Sequence, residues 1–520
     1  MRSTFHGLEV SKRGLFAQQS ALNTTSHNIA NANTDGYTRQ RANMQATTGL
    51  PYPGFDAAIE PGLLGTGVQV TGLQRIREDF LDVQFRNESK HLGYYTAQSD
   101  ALTKIEKIMN EPSDTGLQKV MDDLWKSWQE LSSKPEEPAS RTIVRERAMA
   151  LVETFAALNT SLEELKTDLD NVVKVKAMDV NSIAQQIANL NKQIADVVPH
   201  GYQPNDLYDQ RDVLIDRLSN LADIQVTNAE HGMVNVTIEG KTLVTGRTPV
   251  EMAVTYNETT KLMDITLGGE PFVPTSGSLA GTFKARGVGQ VVQDAQGNDM
   301  ISYTGVVPDI QNRLNVLAIN LTKQINDVHK QGINMTDIKA GKTEASNLPF
   351  FVDANALKET PPRIIDPQSA ASVALHPDIV GSLDAIAAAK PLGATSTNPA
   401  TSFEGDGSNA RDIASIKFKV LLKGTGLTDL TETSTLDDYY RYTIAKLGVD
   451  SQQAQRMEKN SETLVGTVEN QRQSVSGVSI DEEMSNIVKF QHAYSASARV
   501  MTSMDEMLDK IINGMGRVGL

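Results

Sequence analysis

The first thirty residues carry a strict apolar repeat, which constrains the fold more than any other feature of the chain. Its large apolar residues recur at every seventh position: Met1, Leu8, Leu15, Leu22 and Ile29. A small residue precedes three of them: Gly7, Gly14 and Ala21. A seven-residue repeat keeps one stripe of a helix facing a partner helix, and small neighbours allow a close approach. The other core position of the repeat holds Ser11, Gln18 and Thr25, so this helix needs a partner to be stable.

The segment after this helix is rich in residues that end helices and turn the chain. Asn28, Asn31 and Asn33 either form a specific recognition surface or satisfy the last carbonyls of the helix. Gly36 is expected to adopt a positive φ. Tyr37 is either a packed anchor or a contact between subunits. The residues alone leave both alternatives open.

Composition excludes several classes of function. The chain has 520 residues, too many for one ordinary domain, and lacks cysteine, which removes disulfides and thiolate chemistry. Its net charge of −15 argues against a nucleic-acid partner. Neither a signal peptide nor an apolar run of about 20 residues is visible, so we expect no membrane insertion.

Helical periodicity dominates residues 77–225. The spacing of Leu117, Met121, Leu124, Trp128 and Leu131 predicts one helix whose tryptophans pack in a core. A longer stripe runs from Val144 through Leu169 and Val172 to Val197. Its one irregularity, around Lys176, predicts either a coiled-coil stutter or a break.

The middle of the chain changes period. Alternation around Val236, with Glu239-Gly240 as the turn, predicts a β-hairpin within a β-rich section. A helix is expected at 308–331, and loops with short strands at 340–410. The last helix carries an apolar stripe that comprises Ile480, Met484, Ile487, Tyr494, Ala498, Met501, Leu508 and Ile512.

These patterns predict an α+β multidomain protein with terminal coiled-coil helices, a long α-helical bundle domain and inserted β-rich outer domains. The terminal coiled-coil domain is expected at 1–60 and 479–520, and the helical rod domain at 61–225, 301–335 and 416–478. The β-rich domain is expected at 226–300, and an outer domain rich in strands and loops at 336–415.

Enzyme chemistry finds little support. Asp206, Asp209, Asp212 and Asp216 fall within one arc of a predicted helix, as a metal-dependent hydrolase would require. No histidine accompanies them, so a solvated face is the preferred interpretation. The eight histidines are scattered, without a metal-ligand spacing. We therefore predict no catalytic residues, no metal and no cofactor.

Four segments resemble the axial proteins of the bacterial flagellum, a family of rod, hook and hook-associated proteins. SHNIANANTDGYTRQ (26–40) is similar to the signature of the whole family. GTGVQV (65–70), PNDLYDQRD (204–212) and GVSIDEEMSNIVKFQHAYSASARVMTSMDEMLDKIING (477–514) are similar to the hook-associated members. The resemblance implies a structural adaptor between hook and filament, with a hook or rod subunit as the alternative.

The resemblance also implies a location and partners. The protein would be extracellular, after type III export from the cytoplasm without a cleaved leader. It would be a monomer in solution and a ring in the flagellum, with loose terminal helices that form an inner tube on assembly. Its partners would be the hook protein, hook-associated protein 3 and a dedicated export chaperone.

Two sets of residues follow as expectations. The assembly interface would comprise Leu8, Leu15, Leu22, Asn28, Ile29, Asn31, Asn33, Gly36, Tyr37, Met484, Ile487, Tyr494, Met501, Leu508 and Ile512. The chaperone site would comprise Ile480, Met484, Ile487, Tyr494, Met501 and Leu508.

Overall fold

The computed structural model describes residues 5–49, 65–293, 299–391, 403–420 and 434–514. Met1, predicted to open the apolar repeat, lies outside the described residues. The helices are α1 (His6–Ala30), α2 (Asp79–Met109), α3 (Leu117–Ser133), α4 (Pro138–Val197), α5 (Asn205–Leu221), α6 (Gly277–Arg286), α7 (Val306–His329), α8 (Met335–Lys339), α9 (Ala354–Leu357), α10 (Pro377–Gly381), α11 (Ser408–Ser415), α12 (Leu436–Ser476) and α13 (Ile480–Gly514).

The strands form small antiparallel sheets. They are β1 (Gln40–Ala46), β2 (Val68–Arg75), β3 (Ile224–Asn228), β4 (Val234–Ile238), β5 (Lys241–Thr245), β6 (Thr248–Pro249), β7 (Met252–Asn257), β8 (Leu262–Leu267), β9 (Glu270–Phe272), β10 (Val288–Gln293), β11 (Asp299–Thr304), β12 (Phe351–Asp353) and β13 (Val373–Leu375). The sheet orders are β1-β2, β3-β4-β5-β6, β7-β8-β9, β10-β11 and β12-β13. Long helices with small sheets confirm the predicted α+β class.

The predicted hairpin turn is confirmed. Glu239 and Gly240 join β4 to β5 with φ values of 49° and 81°. Two consecutive positive φ values are typical of the turn whose twist matches that of paired strands. Local turn chemistry was therefore sufficient to predict this element.

Helix α4 is continuous over 60 residues, so the irregularity in its stripe is a stutter and not a break. The predicted stripe is displaced by one residue between Leu169 and Val180, where it returns to the predicted positions. Val173 and Ala177 are fully buried, whereas Val172 is 36% exposed. Steps of four residues rotate the buried stripe around the helix, and here they turn it from one hydrophobic core toward a second.

The first core lies between α2, α3, the first half of α4, α7 and α12. Trp128 is fully buried in it and packs edge-to-face against Phe350, with ring centroids 5.1 Å apart. His329 packs on both rings. The predicted packing role of the tryptophans is confirmed.

The described part of 336–415 differs from the predicted outer domain. Phe350, Phe351 and Ile386 are fully buried in the first core. Asn326 on α7 accepts the N–H groups of both phenylalanines at 2.9 and 2.8 Å. Arg141 on α4 donates to the Ile386 carbonyl at 2.9 Å. Bonds from helix side chains to loop backbone tie this segment to the helices, and such bonds leave no periodic signal in sequence.

The second core lies between the second half of α4, α5, α6 and strands β4–β9. Asn181 on α4 binds the N–H and carbonyl of Met252, both at 2.8 Å. Asn191, fully buried, donates to the carbonyls of Val234 and Gly246 at 2.8 and 2.7 Å. Two asparagines on one helix thus anchor one sheet each.

Candidate assembly site at the base of the terminal helices

Helices α1 and α13 pair in antiparallel orientation within one chain. A Cβ at Gly7 would lie 2.8 Å from Met504 Cε, and one at Gly14 would lie 3.2 Å from Ser497 Oγ. Each seven-residue step forward on α1 therefore matches a seven-residue step backward on α13. The small residues of the repeat form the line of closest approach, because larger side chains would force the helices apart.

The large residues of the repeat lie beside this line, which corrects their predicted position at its centre. Each is only half-buried in the single chain: Leu8, Leu15, Leu22 and Ile29. On α13 the predicted residues divide into two groups. The first group is half-buried and comprises Ile487, Tyr494, Met501 and Leu508. The second group has at least half of each side chain exposed and comprises Ile480, Met484 and Ile512. The terminal pair thus keeps much apolar surface uncovered.

Asn28 is the buried connector at the end of α1. Its amide nitrogen donates to the Gln40 carbonyl at 2.9 Å and to Glu483 Oε2 at 3.1 Å. Its amide oxygen accepts the Gln40 N–H at 3.0 Å and the Tyr37 hydroxyl at 2.8 Å. One side chain therefore joins α1, β1 and α13, as a buried amide with every bond satisfied.

The other residues of the segment have separate roles. Asn31 donates to the His27 carbonyl at 3.1 Å and so ends the helix, while Asn33 is exposed. Gly36 has a φ of 75°, and a Cβ there would lie 2.0 Å from Val213 Cγ2 on α5. Glycine is thus required both by conformation and by space.

Tyr37 is an internal anchor whose ring edge packs on His27, with centroids 5.6 Å apart. Burial, together with the nearby carboxylates of Asp206, Asp209 and Glu483, raises the pKa of Tyr37 above its usual value. The hydroxyl therefore stays protonated and donates to Asn28.

Arg39 clamps the joint between α12 and α13. Its guanidinium donates to Glu483 Oε1 at 2.8 Å and to both carboxylate oxygens of Glu482 at 2.7 and 3.1 Å. Its backbone N–H donates to the Ser476 carbonyl, the last residue of α12, at 2.9 Å. Bidentate arginine pairs fix orientation as well as distance.

The aspartates of α5 belong to an ion-pair network, which corrects their interpretation as a solvated face. The network contains Arg75, Arg77, Arg86 and Arg472 with Asp82, Asp209, Asp212 and Asp216. It connects the end of β2, the start of α2, helix α5 and the end of α12. Of the four predicted aspartates, only Asp206 is largely exposed, at 59% of its side chain.

The pKa values of two network aspartates shift in opposite directions. Burial alone would raise the pKa of Asp212, but Arg77, Arg75 and Arg86 outweigh it and lower the pKa. Burial raises the pKa of Asp209 despite bonds from Thr38 and Arg75. Within the described ranges, no group of three or more His, Cys, Asp or Glu side chains could hold a metal ion. The ion pairs of this arrangement hold β2, α2, α5 and α12 together.

Three of the segments singled out in the sequence therefore meet at one place. The Thr38 N–H donates to Asp209 at 2.9 Å, which joins the segment 26–40 to 204–212. Arg39 joins it to 477–514. Sequence analysis missed Arg39 and Arg472, although a basic residue within the first segment and two glutamates within the last were a signal for pairing.

Helices in the described part of the chain are too short or too polar to cross a membrane. Three family descriptions match segments of the sequence. "Flagellar hook-associated protein FlgK helical domain" matches 102–343, "Flagellar basal body rod FlgEFG protein C-terminal" matches 469–514, and "Flagella basal body rod protein" matches 8–38. One rod match covers α13 with the end of α12, and the other covers most of α1 with the turn that follows it.

Full-length relatives agree with these matches. Flagellar hook-associated protein 1 of Bacillus subtilis is 38% identical over 99% of both chains. The protein of the same name from Escherichia coli is 26% identical over 96% of this chain and 98% of its own. The flagellar hook junction protein FlgK from Burkholderia pseudomallei, at 15% identity, has a related fold with a TM-score of 0.57, over 77% of this chain and all of its own. The chain belongs to the flagellar hook-associated protein 1 family.

Proposed function

We propose that this protein is a structural adaptor at the junction between the hook and the filament of a bacterial flagellum. The observation that carries the proposal is the terminal pair, α1 with α13. It is held at its base by Asn28 and Arg39, yet its apolar flank stays partly exposed in the single chain. Such a flank favours burial against neighbouring subunits.

A non-enzymatic role accompanies this proposal. Asp209, Asp212 and Asp216, the residues that a hydrolase would use, are bound by arginines 2.8–2.9 Å away. Carboxylates paired in this way are poor candidates for a metal or a water. Asp209→Asn with Asp212→Asn should therefore weaken the joint between β2 and α5 without removing a chemical activity.

The proposal places copies in a ring between the hook protein and hook-associated protein 3. The residues that meet neighbouring copies would be Leu8, Leu15, Leu22 and Ile29 on α1, with Met484 and Ile512 on α13. Leu15→Asp or Leu22→Asp should prevent filament attachment while the body stays folded, because a charge on the flank resists burial. Leu15→Met keeps the apolar surface and serves as the control. Normal filaments on cells that carry Leu15→Asp would contradict the adaptor role.

We further propose that the chain is exported without a cleaved leader and that a chaperone covers α13 before export. An apolar stripe of this length is an aggregation hazard in the cytoplasm, and Met484, 52% exposed, belongs to it. Truncation after Gly477 should abolish chaperone binding in a calorimetric titration. Unchanged affinity of the truncated chain would contradict this part of the proposal.

Limited proteolysis of the monomer tests two expectations together: that both chain ends are loose, and that the middle of the chain is a stable body. We expect loss of about fifty residues at the front and about forty at the back, with a stable middle, because incomplete cores open more readily.

A further inference from the structure

A groove of about 600 Å³ lies between the turn after α1 and helices α4 and α5. Its lining includes the apolar side chains of Leu190, Val213 and Leu214. The exposed residues Asp35 and Asp206 also line it. None of the described residues that line it is lysine or arginine. The groove therefore favours an occupant that combines an apolar group with a positive charge.

The solvent face of α1 carries such a combination. Phe16 is 57% exposed, and Lys12, one turn earlier, is half exposed. At 3.6 residues per turn, Phe16 lies about 160° around the helix from Gly14, which faces α13. Pairing with α13 thus leaves this phenylalanine uncovered. A large aromatic on the open face of a helix is typical of a residue buried in an interface.

The Lys12–Phe16 face of α1 cannot reach the groove of its own chain. Phe16 precedes His27, which lines the groove, by eleven residues of continuous helix, or about 16 Å. We propose that the groove at the base of each subunit receives the Lys12–Phe16 face of α1 from a second copy. Different surfaces meet in this contact, and such heterologous contacts generate rings or helical arrays.

The inference rests on the proposed function and deepens it by naming the partner surface of the assembled subunits. Phe16 would occupy the apolar floor near Leu190 and Val213, and Lys12 would approach the carboxylate of Asp35. The charge pair sets the register of the two copies, while the aromatic side chain supplies most of the buried area.

Introduced cysteines test whether Phe16 of one copy lies in the groove of another, since the chain has no cysteine of its own. Phe16→Cys combined with Gln193→Cys, at the groove, should give disulfide-linked multimers in isolated flagella after mild oxidation. A disulfide requires Cα atoms within about 7 Å, and covalently linked multimers can form only if Phe16→Cys of one copy lies this close to Gln193→Cys of another. The matched control is Phe16→Cys with Lys174→Cys. Lys174 is exposed on α4, like Gln193, but lies far from the groove. Asn189→Cys is a second groove position if Gln193→Cys impairs assembly.

Assembled flagella without cross-links from either groove position would overturn the inference while leaving the adaptor role intact. Charge reversal gives an independent measurement. Asp35→Lys and Lys12→Glu should each lower the number of attached filaments about tenfold, roughly 1.4 kcal/mol of binding, and the double variant should restore it. If the double variant is no better than Asp35→Lys alone, another flagellar component occupies the groove and the inference is wrong. Normal filaments on cells that carry Leu15→Asp would instead contradict the proposed adaptor function.

Discussion

The body of the molecule and its terminal helix pair are both built on apolar heptads, yet only the body completes its core. Along the first half of α4, Leu151, Phe155 and Leu162 are fully buried, with helices and loops packed around them. Along α1, the corresponding leucines are half-buried. The same sequence period therefore produces a finished core in one region and an unfinished one in the other.

The number of elements packed around each stripe explains the difference. The stripe of α4 faces α3, α7 and the loops that follow α7, which cover it from several directions. The stripe of α1 has α13 on one side and the β1-β2 sheet on another. Its second core position holds Ser11 and Thr25, whose burial adds little hydrophobic stabilisation. The lesson is that completeness of a core depends on the number of partners and not on the repeat.

The largest expected effect tests that contrast directly. Phe155→Ala should lower the free energy of unfolding of the body by about 3–5 kcal/mol, because a fully buried aromatic leaves a cavity. Leu22→Ala, on the half-covered flank, should cost about 1 kcal/mol in the monomer. Denaturant titration of the monomer measures both values. Equal losses would break the comparison, since they would mean that the terminal pair is as well packed as the body.

The second largest effect is expected on acidification, at a buried histidine of the body. Burial lowers the pKa of His329 to about 4, from an ordinary value near 6.5. Its Nδ1 lies 2.7 Å from the Leu348 carbonyl, and its Nε2 accepts the Ala387 N–H at 2.9 Å, which requires the neutral ring. The unfolded chain binds the proton more readily, so stability is intact above pH 6.5 and falls as pH drops toward 4.

The expected loss is about 2–3 kcal/mol between about pH 6.5 and pH 4.5, at about 1.4 kcal/mol per pH unit. His329→Gln should flatten this slope in denaturant titrations at several pH values, whereas His91→Gln, at an exposed position, should leave it unchanged. A slope that survives His329→Gln would place the acid-sensitive group elsewhere.

The smallest effect concerns the base of the terminal pair. Asn28→Asp would place a carboxylate beside Glu483 and remove the amide donor, so the base should open more easily by about 1–3 kcal/mol. Proteolysis between residues 31 and 39 should accelerate while the unfolding of the body stays unchanged. Asn33→Asp, at an exposed position of the same turn, is the control. Equal cleavage rates of the two variants would show that Asn28 does not hold the base.

Much of the fold was predictable because its signals are local. Helix α3, the apolar stripe of α4, the β4-β5 hairpin and the helical ends follow from spacing and turn chemistry within each segment, whereas the continuity of α4 around Lys176 was left open. The candidate site was predictable only in part. Gly36 was assigned correctly to a positive φ, and the small residues of the repeat were expected to allow a close approach, but the large apolar residues lie beside the line of contact and not at its centre.

The pairing between distant segments was not predictable. The aspartates of α5 look like a solvated face until β2, α2 and α12 bring their arginines to them. Asn28 looks like a helix-ending residue until Glu483, 455 positions away, supplies its partner.

By itself the sequence determined the elements of this protein and the apolar character of its two ends, because periodicity and turn propensity act over a few residues. Only the tertiary structure decided which side of each helix is covered and which charges are neutralised. Burial and ion pairing depend on groups brought together from remote parts of the chain, and their energies exist only once that packing is in place.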